Sequence, residues 1–226
     1  MIQRTAILLC LLLACILPAG SWAQNVFRPE WAVGVSGGVS FASVGFSPKI
    51  QEGLLMGYQG GLTLRWITEK NLGLQLELNV KQQGWKENFD ANEHPEYADY
   101  YFHRRMNYAE IPFFTHIYFG GDHTRFFVNL GPQIGYLFSE RTKENLNGAE
   151  PQNINAQHTM PADKKIEWGL CGGPGLEIRT GMGYFLLEGR YFYALSDFYN
   201  TRQQDVFAKA SAQVFSFKIT YLMPFY

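Results

Sequence analysis

Along Leu72–Gln83 (LGLQLELNVKQQ) the chain alternates strictly. Leu72, Leu74, Leu76, Leu78 and Val80 occupy the even positions, and Gly73, Gln75, Glu77, Asn79, Lys81 and Gln83 the odd ones. Successive side chains of a strand point to opposite faces, so as a strand this stretch has one aliphatic face and one polar face. A helix would mix the two sets, because its period is 3.6 residues. The aliphatic face meets either a packed core or lipid, and the other segments have to decide between them.

Seven further segments repeat the pattern. They are Trp31–Phe41, Met56–Ile67, Met106–Phe119, Arg125–Ser139, Ile166–Arg179, Tyr184–Leu195 and Ala210–Tyr226. Their connections alternate in length: Ala42–Leu55, Lys86–Arg105, Glu140–Lys165 and Ser196–Lys209 are long, whereas Thr68–Asn71, Gly120–Thr124 and Thr180–Gly183 are short. Transmembrane barrels have this layout, with long outer loops, short periplasmic turns and an even strand count. Charges inside the strands keep to one parity, comprising Arg65, Glu77, Lys81, Glu110, Glu167, Glu177, Arg179, Glu188, Arg190 and Lys218. A lysine or arginine facing lipid at mid-depth costs about 2–4 kcal/mol. No segment of helical pattern remains to cover the opposite, apolar face, and a soluble ligand-carrying barrel would have its apolar face inside. Apolar-face aromatics fall near segment ends, as two interfacial girdles do: Trp31, Trp66, Phe119, Phe126 and Phe185 at the turns, Phe41, Tyr58, Phe138, Trp168, Tyr193 and Phe215 towards the loops. The prediction is an all-β, eight-stranded antiparallel up-and-down transmembrane β-barrel.

Some positions break the pattern. Trp85 has the polar parity, which predicts a bulge or strand end near Gly84. Pro112, Pro132 and Pro174 each remove a ladder donor, and bulges are expected there, with a kink over Gly172–Gly175.

Composition agrees. Aromatic residues are 16% of the 226, charged residues only 17%, and there are 23 glycines. A net charge of -1 gives no reason to expect a nucleic-acid partner, and a mean hydropathy of -0.16 excludes a helical membrane bundle but not a barrel. Residues 1–23 read as a signal peptide, with Arg4, an apolar run over Ala6–Leu17 and small residues at Ser21 and Ala23. Leu12–Cys15 offers the alternative of a lipoprotein signal. The barrel domain is expected over residues 24–226, where Cys171 is the one cysteine, so no intrachain disulfide forms.

The segment NYAEIPFF (Asn107–Phe114) resembles a strand of the PorT-like outer-membrane β-barrel family through Tyr108, Glu110, Ile111 and Pro112. GPQIGYLF (Gly131–Phe138), Asp163–Gly175 and EGRYFYAL (Glu188–Leu195) are similar to its later segments, with Ala194 in place of the usual glycine. The terminal Phe225–Tyr226 resembles the aromatic end read by the outer-membrane assembly machinery. The resemblance implies an eight-stranded barrel in the outer membrane of a diderm bacterium. Some members serve a protein-secretion system, and no catalytic residue carries over.

An eight-stranded barrel is just wide enough for its own side chains. Arg65, Lys81, Arg179, Arg190 and Lys218 against Glu77, Glu110, Glu167, Glu177 and Glu188, with His116 on the same lumenal parity as Glu110, predict a neutralised lumenal ion-pair network; the alternative is a proton or ion path. Tyr97, Tyr100, Tyr101, Phe102 and His103 are candidates for contact through an outer loop, or for packing on the rim. His94 and His103 share that loop with Asp90, Glu93, Glu96 and Asp99, but the spacing matches no metal motif, so neither metal nor cofactor is expected. A lipid-modifying enzyme would draw on Ser43, Ser47, Ser139 and His103, though no nucleophile elbow marks any of these serines. The expected role is therefore structural or binding and not enzymatic. Expected partners are outer-membrane lipids, the assembly machinery and an envelope or secretion complex.

Overall fold

The computed structural model describes residues 27–47, 52–87, 99–145, 162, 164–197 and 209–225. Eight long strands carry the fold: β1 (Glu30–Ser47), β2 (Leu55–Glu69), β3 (Leu72–Glu87), β4 (Tyr101–Gly120), β5 (Thr124–Asn145), β6 (Ile166–Thr180), β7 (Gly183–Ala194) and β8 (Lys209–Phe225). Each pairs antiparallel with its sequence neighbour, and β8 pairs with β1 from Trp31↔Phe225 to Ser47↔Lys209, which closes the ring. A two-residue bridge, Glu52–Gly53, adds to β3 at Glu87 and Lys86. The signal-peptide reading lies outside the described residues.

Alternation sets the two faces. Leu62, Leu64, Leu76, Leu78 and Val80 are exposed on the outer wall, while Thr63, Arg65, Gln75, Glu77, Asn79 and Lys81 are buried inside. Both tryptophans of the turn-side girdle are outward, and Trp31 stacks on Trp66 with ring centroids 5.0 Å apart.

The strands run longer than the apolar pattern indicated. Lys86–Glu87 and Tyr101–Arg105 are paired strand rather than loop, as are Ala42–Ser47 and Glu140–Asn145. Alternation of apolar and polar residues marks only the length that touches lipid. Beyond it a ladder continues with water or headgroups on its outer side, and the pattern no longer reports it.

Bulges also fall at positions that the prolines do not mark. Register shifts at Ile67/Glu69 and at Asn107/Tyr108, where Phe138 is the extra residue between Leu137 and Ser139. No shift accompanies Pro112, Pro132 or Pro174; the β4–β5 register is the same at Pro112↔Gln133 and Thr115↔Leu130. Across Gly172–Gly175 the β7 partners likewise keep one register. A missing donor therefore costs these ladders a rung without moving it. On the β4 side the register runs unchanged through Gly84↔Arg105, but on the β2 side pairing stops at Gln59↔Lys81 and resumes at Gly53↔Lys86 shifted by one residue, so the irregularity expected near Gly84 is present on that edge; its neighbour Trp85 is fully buried on the lumenal face. Gly84 has φ +146, and a Cβ there would lie 1.9 Å from the Arg104 carbonyl oxygen, so only glycine fits.

Candidate functional site in the lumen

Inside the wall, one polar chain touches all eight strands. It starts on β1, where Glu30 accepts from Arg179 of β6 at 2.6 Å. Arg179 lies 3.5 Å from Glu177 on its own strand, and Glu177 accepts from Arg65 of β2 at 2.7 Å. The same Arg65 nitrogen is 3.3 Å from His116 Nε2 on β4, and His116 Nδ1 is 2.8 Å from Asn129 Oδ1 on β5. These distances fit the neutral tautomer in which Nδ1 donates to the amide oxygen and Nε2 accepts. Asn129 donates to Glu188 of β7 at 2.8 Å, and Glu188 accepts from Arg190 at 2.7 Å. Arg190 grips Glu77 of β3 through two bonds of 2.7 Å, and Lys218 of β8 donates to the same carboxylate at 2.5 Å.

Glu77 is the hub. Besides those three charged donations it accepts from Gln75 at 2.7 Å and Asn79 at 2.9 Å, two residues either side on its own strand. Period-2 spacing puts 75, 77 and 79 on one face, so local sequence builds half of the cradle. Buried charge persists only when paired and hydrogen-bonded, and here both conditions hold.

A second pair lies apart from the chain. Lys81 and Glu110 meet at 2.5 Å, and Lys81 sits 4.6 Å from the centre of the Phe192 ring. Glu167 departs from the expected pairing. It accepts from Gln83 at 2.8 Å, and among the described residues no lysine or arginine forms a salt bridge with it. An amide can satisfy a carboxylate oxygen without balancing its charge, so counting charges on one parity overstates the pairing.

The lumen is not uniformly polar. Ala32, Ile67, Tyr118, Phe127, Tyr184, Leu186 and Leu222 form an apolar layer at the turn end. Ala42, Phe114, Cys171, Phe192, Ala194, Ala212 and Val214 form another towards the loops. Phe114 and Phe127 already had the inward parity in the sequence, but parity does not reveal that they gather into layers. Arg190 lies over the Phe114 ring at 4.6 Å, so the aromatic layer also shields a member of the chain.

Above these, Trp85, Phe102, Met106 and Tyr108 fill the outer mouth, all fully buried. Arg104 lies 5.5 Å from the Trp85 ring and pairs with Glu140 of β5. The proposed contact group is therefore divided. Tyr97 is outside the described residues, Tyr100 is half-buried before β4, Tyr101 and His103 face outward, and Phe102 points into the lumen. The cause is the strand extension, because alternation sends neighbours to opposite faces. Of the remaining polar candidates, Ser139 pairs with Asn107 and His103 with Lys143, four ladder positions apart, or about 13 Å along the strand. The fold does not bring that serine and histidine together. Ser43 is half-buried on the outer face, and the side chain of Ser47 is outside the described set. Among the described residues no three of His, Cys, Asp and Glu gather in a way that could hold a metal ion.

A closed ring with lipid-facing aliphatics and a charged, filled interior defines an integral outer-membrane β-barrel. A model of the outer membrane protein beta-barrel domain matches residues 22–200, and the chain belongs to that family. Among curated proteins no sequence matches it. OprG of Pseudomonas aeruginosa superposes with a TM-score of 0.54 at 14% identity, covering 88% of this chain and 97% of OprG. Ail of Yersinia pestis gives a TM-score of 0.42 at 12% identity, covering 86% and 99%. The outer membrane enzyme PagL gives 0.45 at 12% identity, covering 82% and 97%. At these identities the likeness is one of fold.

Proposed function

We propose that this protein is a sealed outer-membrane barrel whose biochemical role is structural or binding and is exercised on its outer side. The observation that carries this reading is the polar chain from Glu30 to Lys218, which ties every strand to the lumen centre and fills it. Opening a path would separate Arg190 and Lys218 from Glu77, leaving buried charges uncompensated at about 3–5 kcal/mol for each broken pair. Solute passage is therefore not the task of this lumen. In planar bilayers the reconstituted protein is expected to show no stable conductance steps; large, long-lived openings would refute the reading.

The PorT-like resemblance adds a finer proposal, that the outer loops dock an envelope or secretion complex. What supports it is the ordered run of strand motifs. Their distinctive residues Tyr108 and Glu110 face the lumen, however, so they support wall construction more than partner choice. Gene deletion should change the set of exported proteins, and an unchanged set would remove the secretion role while leaving the sealed barrel intact.

A further inference from the structure

The strand extensions above the bilayer sort their charges by face. Outward rungs of β3, β4 and β5 read, from the membrane upward, Val80–Ala109–Tyr136, then Gln82–Asn107–Ser139, then Gly84–Arg105–Arg141, then Lys86–His103–Lys143. Apolar residues give way to neutral polar ones and then to five basic side chains in two adjacent rungs. Arg105 stands directly opposite Arg141, and His103 stands between Lys86 and Lys143. Directly opposed like charges destabilise a ladder.

Nothing described here neutralises them. Among the described residues none of Lys86, His103, Arg105, Arg141 and Lys143 forms a salt bridge. The acids of the same strand ends, Glu87, Glu140 and Glu144, alternate to the other face, and Glu140 is engaged by Arg104. His103 lies above the lipid-facing part of β4. Burial and then the charges of Lys86, Arg105 and Lys143 hold its pKa below the ordinary histidine value.

The height of the patch identifies its counter-ion. Arg105 is four residues above lipid-facing Ala109, about 13 Å along the strand. A strand tilted by about 45° converts that to roughly 9 Å of height, the level of the headgroup region outside a core of about 30 Å. The patch is continuous with the lipid-contacting wall, on the same face of the same strands. Arginine forks match phosphate oxygens, and Arg105 with Arg141 supplies two forks side by side. We infer that this surface binds the phosphate groups of lipids in the outer leaflet, gripping the headgroup from Arg105, Arg141, Lys143, Lys86 and His103 while the acyl chains lie on Leu78, Val80, Ile111 and Tyr136.

The test uses the full chain folded in detergent and bis-phosphorylated lipid A as probe, with bound lipid counted by native mass spectrometry. The variant R105Q/R141Q/K143Q removes three outward charges and no lumenal contact; folding is verified by heat-modifiable gel mobility. Each cation near a charged surface contributes about fivefold in binding, so the triple variant is expected to lose on the order of a hundredfold. Should it fail to fold, R141Q/K143Q should lose about thirtyfold. Lipid A stripped of phosphate should bind the wild type no better than the triple variant binds the intact lipid. K164Q/K165Q, at the rim by β6, should bind as wild type does. Equal retention by the wild-type and triple-variant proteins would overturn the proposal. Binding of a soluble polysulfated glycan in place of lipid A would overturn it too, reassigning the surface to an external glycan.

Discussion

At the residue scale the barrel depends on Glu77. Its carboxylate accepts from Arg190, Lys218, Gln75 and Asn79, drawing three strands together. The substitution Glu77→Gln keeps the shape and removes the charge, leaving Lys218 without a salt-bridge partner among the described residues and Arg190 with Glu188 alone. The expected loss is about 3–5 kcal/mol, the usual consequence of breaking a buried pair from one side. Urea unfolding in lipid vesicles, followed by tryptophan fluorescence, measures it; a change under 1 kcal/mol would show that water reaches the site. The sequence put Glu77, Arg190 and Lys218 on one parity. It did not connect them, because residues 77, 190 and 218 belong to three different strands and their meeting depends on ring closure. Arg104 and Glu140 escape the sequence pattern for a related reason. They lie beyond the lipid-facing length, where no alternation flags them.

At the scale of the element, the informative feature is the bulge at Phe138. It lets Leu137 stay inside and Ser139 stay outside with one extra residue between them. Deleting Phe138 should therefore leave every other residue of β5 on its face, with the loss of one lipid-facing aromatic. Deleting Ile134, in the regular ladder, should flip part of the strand and drive Gln133 or Gly135 towards lipid, since a one-residue slip exchanges the faces. Heat-modifiable gel mobility after refolding separates the two: the Phe138 deletion should fold and the Ile134 deletion should not. A failure of both would mean that the bulge is a required structural part. The expected bulges at Pro112, Pro132 and Pro174 rested on the assumption that a lost donor forces a shift. The ring holds each strand from both sides, and the rungs above and below keep the register.

On the scale of the whole molecule, sealing can be probed from within. Cys171 is buried in the loop-side apolar layer. A water-soluble maleimide should leave it unlabelled in the folded barrel from either side of the membrane and label it fully after heat denaturation. Labelling within minutes in the folded state would reveal water in the lumen. The same filled interior explains why the outer surface carries the functional proposals: the wall and its contents are committed to holding each other.

Sequence alone determined the barrel. Period-2 alternation, charges on one parity and the long–short rhythm of connections leave few other ways to place both faces, because lipid and lumen each accept one kind of residue. It also determined which side chains enter the lumen along the lipid-facing length. Tertiary structure decided who meets whom inside: the chain through His116 and Asn129, the amide in place of a cation at Glu167, and the aromatic layers around Phe114 and Phe127. It decided the strand ends as well, and with them the outward basic rungs of Arg105 and Arg141. Alternation is a local property written residue by residue. Partnership across a closed ring follows from register and closure, which no single strand contains.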